Sequence, residues 1–166
     1  VTNVSVTNSS MLVDAARATN QVAAVDVDLG PSDVVATVVD VVDSTLSIVV
    51  GPEHAVEAGA LLLRTDAISI GVALGGLRVM RSALVVRGVI PLESGAALMS
   101  TAVAALCAYE TAHELVVRPL APWAGGGGII LSNSTFETIG DFDGVSRLAA
   151  ADMVFTTITV LGPAAP

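Results

Sequence analysis

Apolar positions between residues 52 and 88 recur with a helical period. At about 100° per residue, Leu62, Ile70, Ala73, Leu77, Met80 and Leu84 fall along one line. Glu53, Glu57, Arg64, Gly71, Arg78 and Ser82 fall opposite, with Gly75 beside them. Leu61, Leu63, Ile68, Val72, Leu74 and Val79 fill the flanks. Apolar cover over most of the circumference predicts a helix buried on several sides. Pro52 suits a first helical turn, and Gly88 followed by Pro91 is a stop signal. Such a helix spans roughly 50 Å. Gly71 and Gly75, four apart on one face, either admit a close neighbour or break the helix in two.

The same reading extends along the chain. Residues 1–29 predict an N-terminal arm and a short helix over 11–24, followed by an extended piece at 25–29. Residues 30–118 form the expected helical core. Ser32 caps a helix running to about Thr45 or Val50, and Ser94 caps a second long helix reaching about Val117. Two long helices joined by a short turn at 89–93 pack as an antiparallel hairpin. Residues 119–128, PLAPWAGGGG, read as a Pro/Gly hinge. The segment 129–166 carries strands at 129–131 and 154–161 around a short helix at 145–152. The expected fold is therefore mainly α, a helical hairpin or small bundle with a short, irregular, strand-bearing C-terminal segment. The alternative is α/β, with parallel strands at 25–29, 46–50 and 84–90 alternating with helices. No internal repeat is evident.

Composition narrows function more than it narrows fold. The chain has 166 residues, a formal charge of −9, and seven basic residues that are all arginine. Phosphate recognition needs a basic footprint, so nucleic acid is a poor partner. A mean hydropathy of +0.78 raises the question of a membrane, but no uncharged run reaches the roughly 20 apolar residues of a spanning helix. No ordinary signal peptide is visible. The expected location is therefore cytoplasmic or exported without a cleavable signal. A single cysteine, Cys107, cannot form an internal disulfide.

Candidate chemistry is sparse. Glu110-x-x-His113 and His54-x-x-Glu57 have metal-capable spacings, but in a hairpin turning at residue 91 they stand roughly 20 Å apart. Asp141-Phe-Asp143-Gly144 resembles the opening of a calcium loop, yet Val145 occupies a ligand position. An Asx-type turn accounts for it better. Cys107 sits among Ala and Leu as an inert thiol. No nucleophile elbow and no phosphate loop is present. The chain is thus expected to be non-enzymatic, with no catalytic residue, cofactor or metal.

Two stretches, GPEHAVEAGALLLRTDAISIGVALGGLRV and AALMSTAVAALCAYETAHEL, resemble the helical-hairpin proteins associated with type VII (ESX) secretion in actinobacteria. The resemblance implies an export substrate or a module that pairs with a similar protein. It departs from the family in lacking Trp-x-Gly at the turn, and it places His113 where the export signal carries an acidic residue. The expected function is binding of a protein partner, hetero- or homo-oligomeric, through Leu62, Ile70, Gly71, Gly75, Leu77 and Leu84. A self-assembling structural or shell subunit and a small α/β ligand-binding domain are the alternatives.

Overall fold

A computed structural model describes residues 2–15, 17, 21–29, 37–52, 57–64, 71–91, 99–117 and 128–160. Among them there is no helix. Twelve strands follow one another, every pairing between them is parallel, and the chain coils into a β-solenoid. The first rung is β1 (Thr2–Thr7), β2 (Ser10–Ala15) and β3 (Val22–Asp28). The second is β4 (Thr37–Val42), β5 (Thr45–Val50) and β6 (Glu57–Arg64). The third is β7 (Gly71–Met80), β8 (Ala83–Val89) and β9 (Met99–Val117). The fourth is β10 (Ile129–Ser132), β11 (Thr135–Asp141) and β12 (Val145–Val160).

Each strand sits on its counterpart one rung back, giving three columns: β1-β4-β7-β10, β2-β5-β8-β11 and β3-β6-β9-β12. The long β9 runs past its own column, and its last residues pair with the start of β7, Gly71 against Glu114. That contact joins the first and third columns into one eight-stranded sheet beside a four-stranded one.

The helical reading is overturned throughout. The segment 52–88 is not one helix but β6, β7 and most of β8, joined by residues outside the described set. The second expected helix is β9, and the short ones at 11–24 and 145–152 fall on β2, β3 and β12. Among the described residues there is no hairpin of helices. The hinge residues 119–127 themselves lie outside the described residues. In the α/β alternative the three strand segments do become β3, β5 and β8. The helices meant to separate them are absent among the described residues. The chain also repeats: the four rungs are one structural unit used four times.

Local chemistry accounts for the strands. β4, TVVDVV, and β5, TLSIVV, are rich in the β-branched residues that fit a pleated surface. In β5 every second residue, Leu46, Ile48 and Val50, is buried. β6, EAGALLLR, is buried from Ala58 to Leu63. It serves two clusters at once. Ala60, Leu61 and Leu63 point into the solenoid core, while Leu62 packs outward with Ala102, Ala104 and Cys107. A parallel strand covered on both faces reads as a continuous apolar run, and such a run mimics a buried helix. Stacked aliphatics fill the interior: Val39, Leu77, Val79, Leu84, Leu106 and Leu115 show no exposed surface.

Corners between the first and second columns are made the same way in all four rungs. Asn8, Asp43, Arg81 and Asn133 each adopt positive φ, 47° to 51°, and each precedes a serine. Left-handed backbone is normally left to glycine, asparagine and aspartate, so Arg81 is the costly member. Gly75 is the extra residue where β7 slips against β4, between Leu74 opposite Thr37 and Gly76 opposite Val38.

Candidate functional site

Two regions combine unusual geometry with accessible chemistry: the serine corner and the far end of the fourth rung. At the corner, a turn residue and the following serine repeat up the stack. The serine hydroxyl stitches consecutive rungs. The N–H of Ser9 donates to Oγ of Ser44 (3.2 Å), that of Ser44 to Oγ of Ser82 (3.1 Å), and that of Ser82 to Oγ of Ser134 (3.2 Å). Each hydroxyl in turn donates to the carbonyl two residues back, as Ser44 does to Val42 and Ser82 to Met80 (both 2.8 Å). Ser44 and Ser82 are buried, and this arrangement satisfies backbone donors that the turn would otherwise strand.

Outside the serines runs a ladder of charges. Asp43 and Arg81 occupy the same turn position in consecutive rungs, and the guanidinium grips the carboxylate with two bonds of 2.6 and 2.7 Å. That grip holds the Asp43 carboxyl below its usual range, chiefly through the hydrogen bond from Arg81. Asp40 with Arg78, and Asp26 with Arg64, repeat the device on other columns. All three pairs join residues 38 apart. Asp43, Thr45, Arg81, Asn133 and Thr135 line a shallow depression of about 530 Å³ over the corner. Its one cation and one anion already neutralise each other, so it offers hydrogen-bonding groups and little net field.

The end of the fourth rung is the second region. Register places Leu131 over Val79, Leu148 over Val103 and Ile158 over Leu115. The lower member of each pair is buried to 0 or 1%. The upper members are 43, 52 and 47% exposed. These are inward-facing core positions on which no described residue is stacked by strand pairing. Phe136 and Ile129 are also only partly buried against the same core. At the opposite end Val22, Val27 and Leu29 are buried to 6% or less, but Met11, inward over Leu46, is 39% exposed and Val4 and Val6 are only partly buried. β10 and β11 pair on one side only among the described residues, β10 with β7 and β11 with β8. Their free edges still carry the ladder's donors and acceptors.

The residues expected to meet a partner lie elsewhere. Leu77 and Leu84 are fully buried in the solenoid core, and Leu62 is fully buried in the outward cluster. Gly75 forms the bulge in β7, and Gly71 opens that strand opposite Glu114. Ile70 and His54 lie outside the described residues, as do the side chains of Glu110 and His113. Among the described residues no group of three His, Cys, Asp or Glu side chains is placed to hold a metal ion. The Asp141–Gly144 segment is an Asx turn, with the N–H of Asp143 on Oδ1 of Asp141 at 3.3 Å. It lets Phe142 fold into the core. Cys107 is buried, and its thiol is pushed up to about 12 by desolvation, with Glu57 and Asp152 adding to the effect. It stays protonated and unreactive in the folded chain.

Leu131, Leu148 and Ile158 went unmarked because a lone aliphatic says nothing of whether another rung covers it. The repeated turn-residue–Ser pair was the available signal, since aligning Asn8, Asp43, Arg81 and Asn133 sets the register between rungs. Among the described residues no helix is long and apolar enough to cross a membrane. No family model, curated protein or solved structure matches the chain.

Proposed function

We propose that this protein is a structural subunit that assembles through the exposed apolar face of its fourth rung. The observation that carries the reading is the contrast across one rung step. Val79, Val103 and Leu115 are sealed, whereas Leu131, Leu148 and Ile158 directly above them lie open to solvent. A solenoid needs a polar outer face on its last repeat to remain soluble alone. Here the fourth rung, the last among the described residues, presents core aliphatics beside strand edges unpaired among those residues, the combination by which sheets add strands from another chain. The corner groove supplies no rival of comparable weight, because its charges are paired and its lining is polar.

The helical partner-binding mode expected from sequence has no helical face among the described residues to use. Binding to protein remains in the proposal, through strand edges in place of helix faces. Light scattering during size-exclusion tests it. The chain is expected to elute above monomer mass, and Leu148→Asp is expected to return it to monomer while far-ultraviolet circular dichroism is unchanged. A wild-type chain that stays monomeric across a wide concentration range overturns the proposal.

A further inference from the structure

The serine corner holds a second site, apart from the exposed apolar face of the fourth rung. We infer that the depression over this corner binds a neutral, hydroxyl-rich ligand, a short oligosaccharide laid along the stack. Arg81 is its main donor, and Asn133, Thr45 and Thr135 complete the hydrogen bonds.

Arg81 is the residue the fold does not explain. At the same turn position the other rungs carry Asn8, Asp43 and Asn133, types that tolerate left-handed backbone, whereas Arg81 holds a φ of 47°. Its pair with Asp43 is too weak to be the reason. The two side chains are 51 and 38% exposed, and an exposed pair shifts the folding equilibrium by about fivefold at most. Left-handed backbone at such a residue shifts it the other way by roughly five- to thirtyfold. Asparagine would make this turn more easily, so the guanidinium serves something beyond the turn. Strain of this kind gathers at ligand sites.

The corner also leaves polar groups free. Arg81 commits its Nε–H and one Nη2–H to Asp43, at 2.6 and 2.7 Å. Its remaining N–H groups have no acceptor among the described residues. The Asn133 amide and the hydroxyls of Thr45 and Thr135 likewise have no hydrogen-bond partner among those residues. Register sets Thr45, Ala83 and Thr135 one above another, so two hydroxyls stand about 9.6 Å apart with a methyl group between them. All of these groups line one depression of about 530 Å³, within the range of small-molecule sites, roughly 300 to 1,000 Å³.

Charge selects the class of ligand. Asp43 cancels the field of Arg81, and the chain carries a formal charge of −9, so an anion gains little here and meets repulsion. A cation finds the lining carboxylate already gripped. An apolar ligand would take water from donors and acceptors that it cannot satisfy. A sugar brings hydroxyls that both donate and accept, and the C–H face of its ring suits the half-buried Ala83.

Amide correlation spectra of the isotope-labelled chain, titrated with cellohexaose, maltohexaose and chitohexaose, test the site, with hexagalacturonate as the charged control. At least one neutral oligosaccharide is expected to give saturable shifts at the Arg81 Nε–H, the Asn133 side-chain amide and the backbone amides beside them. The expected Kd is on the order of 1 mM, and salt leaves it unchanged. Arg81→Asn is expected to weaken binding about tenfold or more while the urea midpoint holds or rises. Thr135→Val keeps the side-chain shape and is expected to weaken binding about threefold. Leu148→Asp is expected to leave the titration as it was, so the corner and the assembly surface fail separately. No corner shift with any neutral probe at about twentyfold the expected Kd, tighter binding of hexagalacturonate, or undiminished binding in Arg81→Asn overturns the inference. A lowered midpoint in Arg81→Asn overturns it too, because the guanidinium would then serve the fold.

Discussion

Ser82 shows how one hydroxyl carries a rung junction. Its Oγ accepts the N–H of Ser44 and donates to the carbonyl of Met80, and all of this is buried. Ser82→Ala leaves the Ser44 N–H without its acceptor in a place water does not reach. The expected cost is about 1 to 3 kcal/mol, read as a lowered urea midpoint with unchanged slope. Ser9→Ala is expected to cost little, because the Ser9 hydroxyl is exposed and donates only to Thr7. Asp43 lies at the same corner and gives a pH signature. Its carboxyl titrates below the ordinary range when folded, so its pair with Arg81 stabilises the native chain above that range. The contribution fades as pH falls below about 4 and through the folded value. Both partners are exposed, so solvent and salt keep the contribution small. Asp43→Asn is expected to lower the midpoint slightly near neutrality, and the difference is expected to vanish in acid and in high salt. The corner residues also hold the repeat that the sequence analysis does not find. Thr7-Asn-Ser-Ser-Met11, Val42-Asp-Ser-Thr-Leu46, Met80-Arg-Ser-Ala-Leu84 and Ser132-Asn-Ser-Thr-Phe136 are four copies of one motif. They are spaced by 35, 38 and 52 residues, and that uneven spacing hides them from a search for a fixed period.

Strands, taken one at a time, explain why local pattern points to helix. β9 contains TAVAALCA, whose alanines and leucine favour helix by intrinsic propensity. It is extended because β6 lies on one side of it and β12 on the other, a fact that local sequence does not encode. β6 and β9 also turn a corner mid-strand, where Ala60 with Leu61 and Ala105 with Leu106 point inward in succession. Strict alternation, the usual sign of a strand, is lost there. Stretches with ordinary alternation, 46–50 and 84–90, were legible as strands in the α/β alternative. The exposure of Leu148 was not legible at all, since it depends on what stacks on its rung and not on its neighbours in sequence. At the close of the second column, Gly88 and Gly140 stack in register at φ of 151° and 143°. A Cβ on Gly88 would lie 2.0 Å from the carbonyl oxygen of Val50. Gly88→Ala must therefore shift a central strand as well as adopt a disfavoured backbone. Its expected cost is on the order of 3 kcal/mol or more. Gly140→Ala meets the Gly88 carbonyl at 1.8 Å, but β11 has no strand above it among the described residues and can move away. Its expected cost is smaller, and thermal unfolding of the two variants checks the order.

For the whole molecule, stacking makes stability a matter of position along one axis. Each rung contacts its neighbours, so the free energy of opening is set by how many rungs flank a strand. β5 and β8 are inner members of their column, whereas β2 and β11 are its outer members. Native-state hydrogen exchange at low protein concentration is therefore expected to rank β5 and β8 amides as slowest. β11 is expected to be among the fastest, because its core residue Phe136 is only partly covered and its outer edge is free. In the assembly proposed above, raising the concentration is expected to raise protection at β10 and β11. A helical bundle with the same sequence would instead protect 52–88 as one cooperative block, with its ends fraying first. Exchange that follows the rungs, broken at each serine corner, is consistent only with the coiled stack. Exchange uniform across 52–88 would remove both the stack and the assembly argued from its open end.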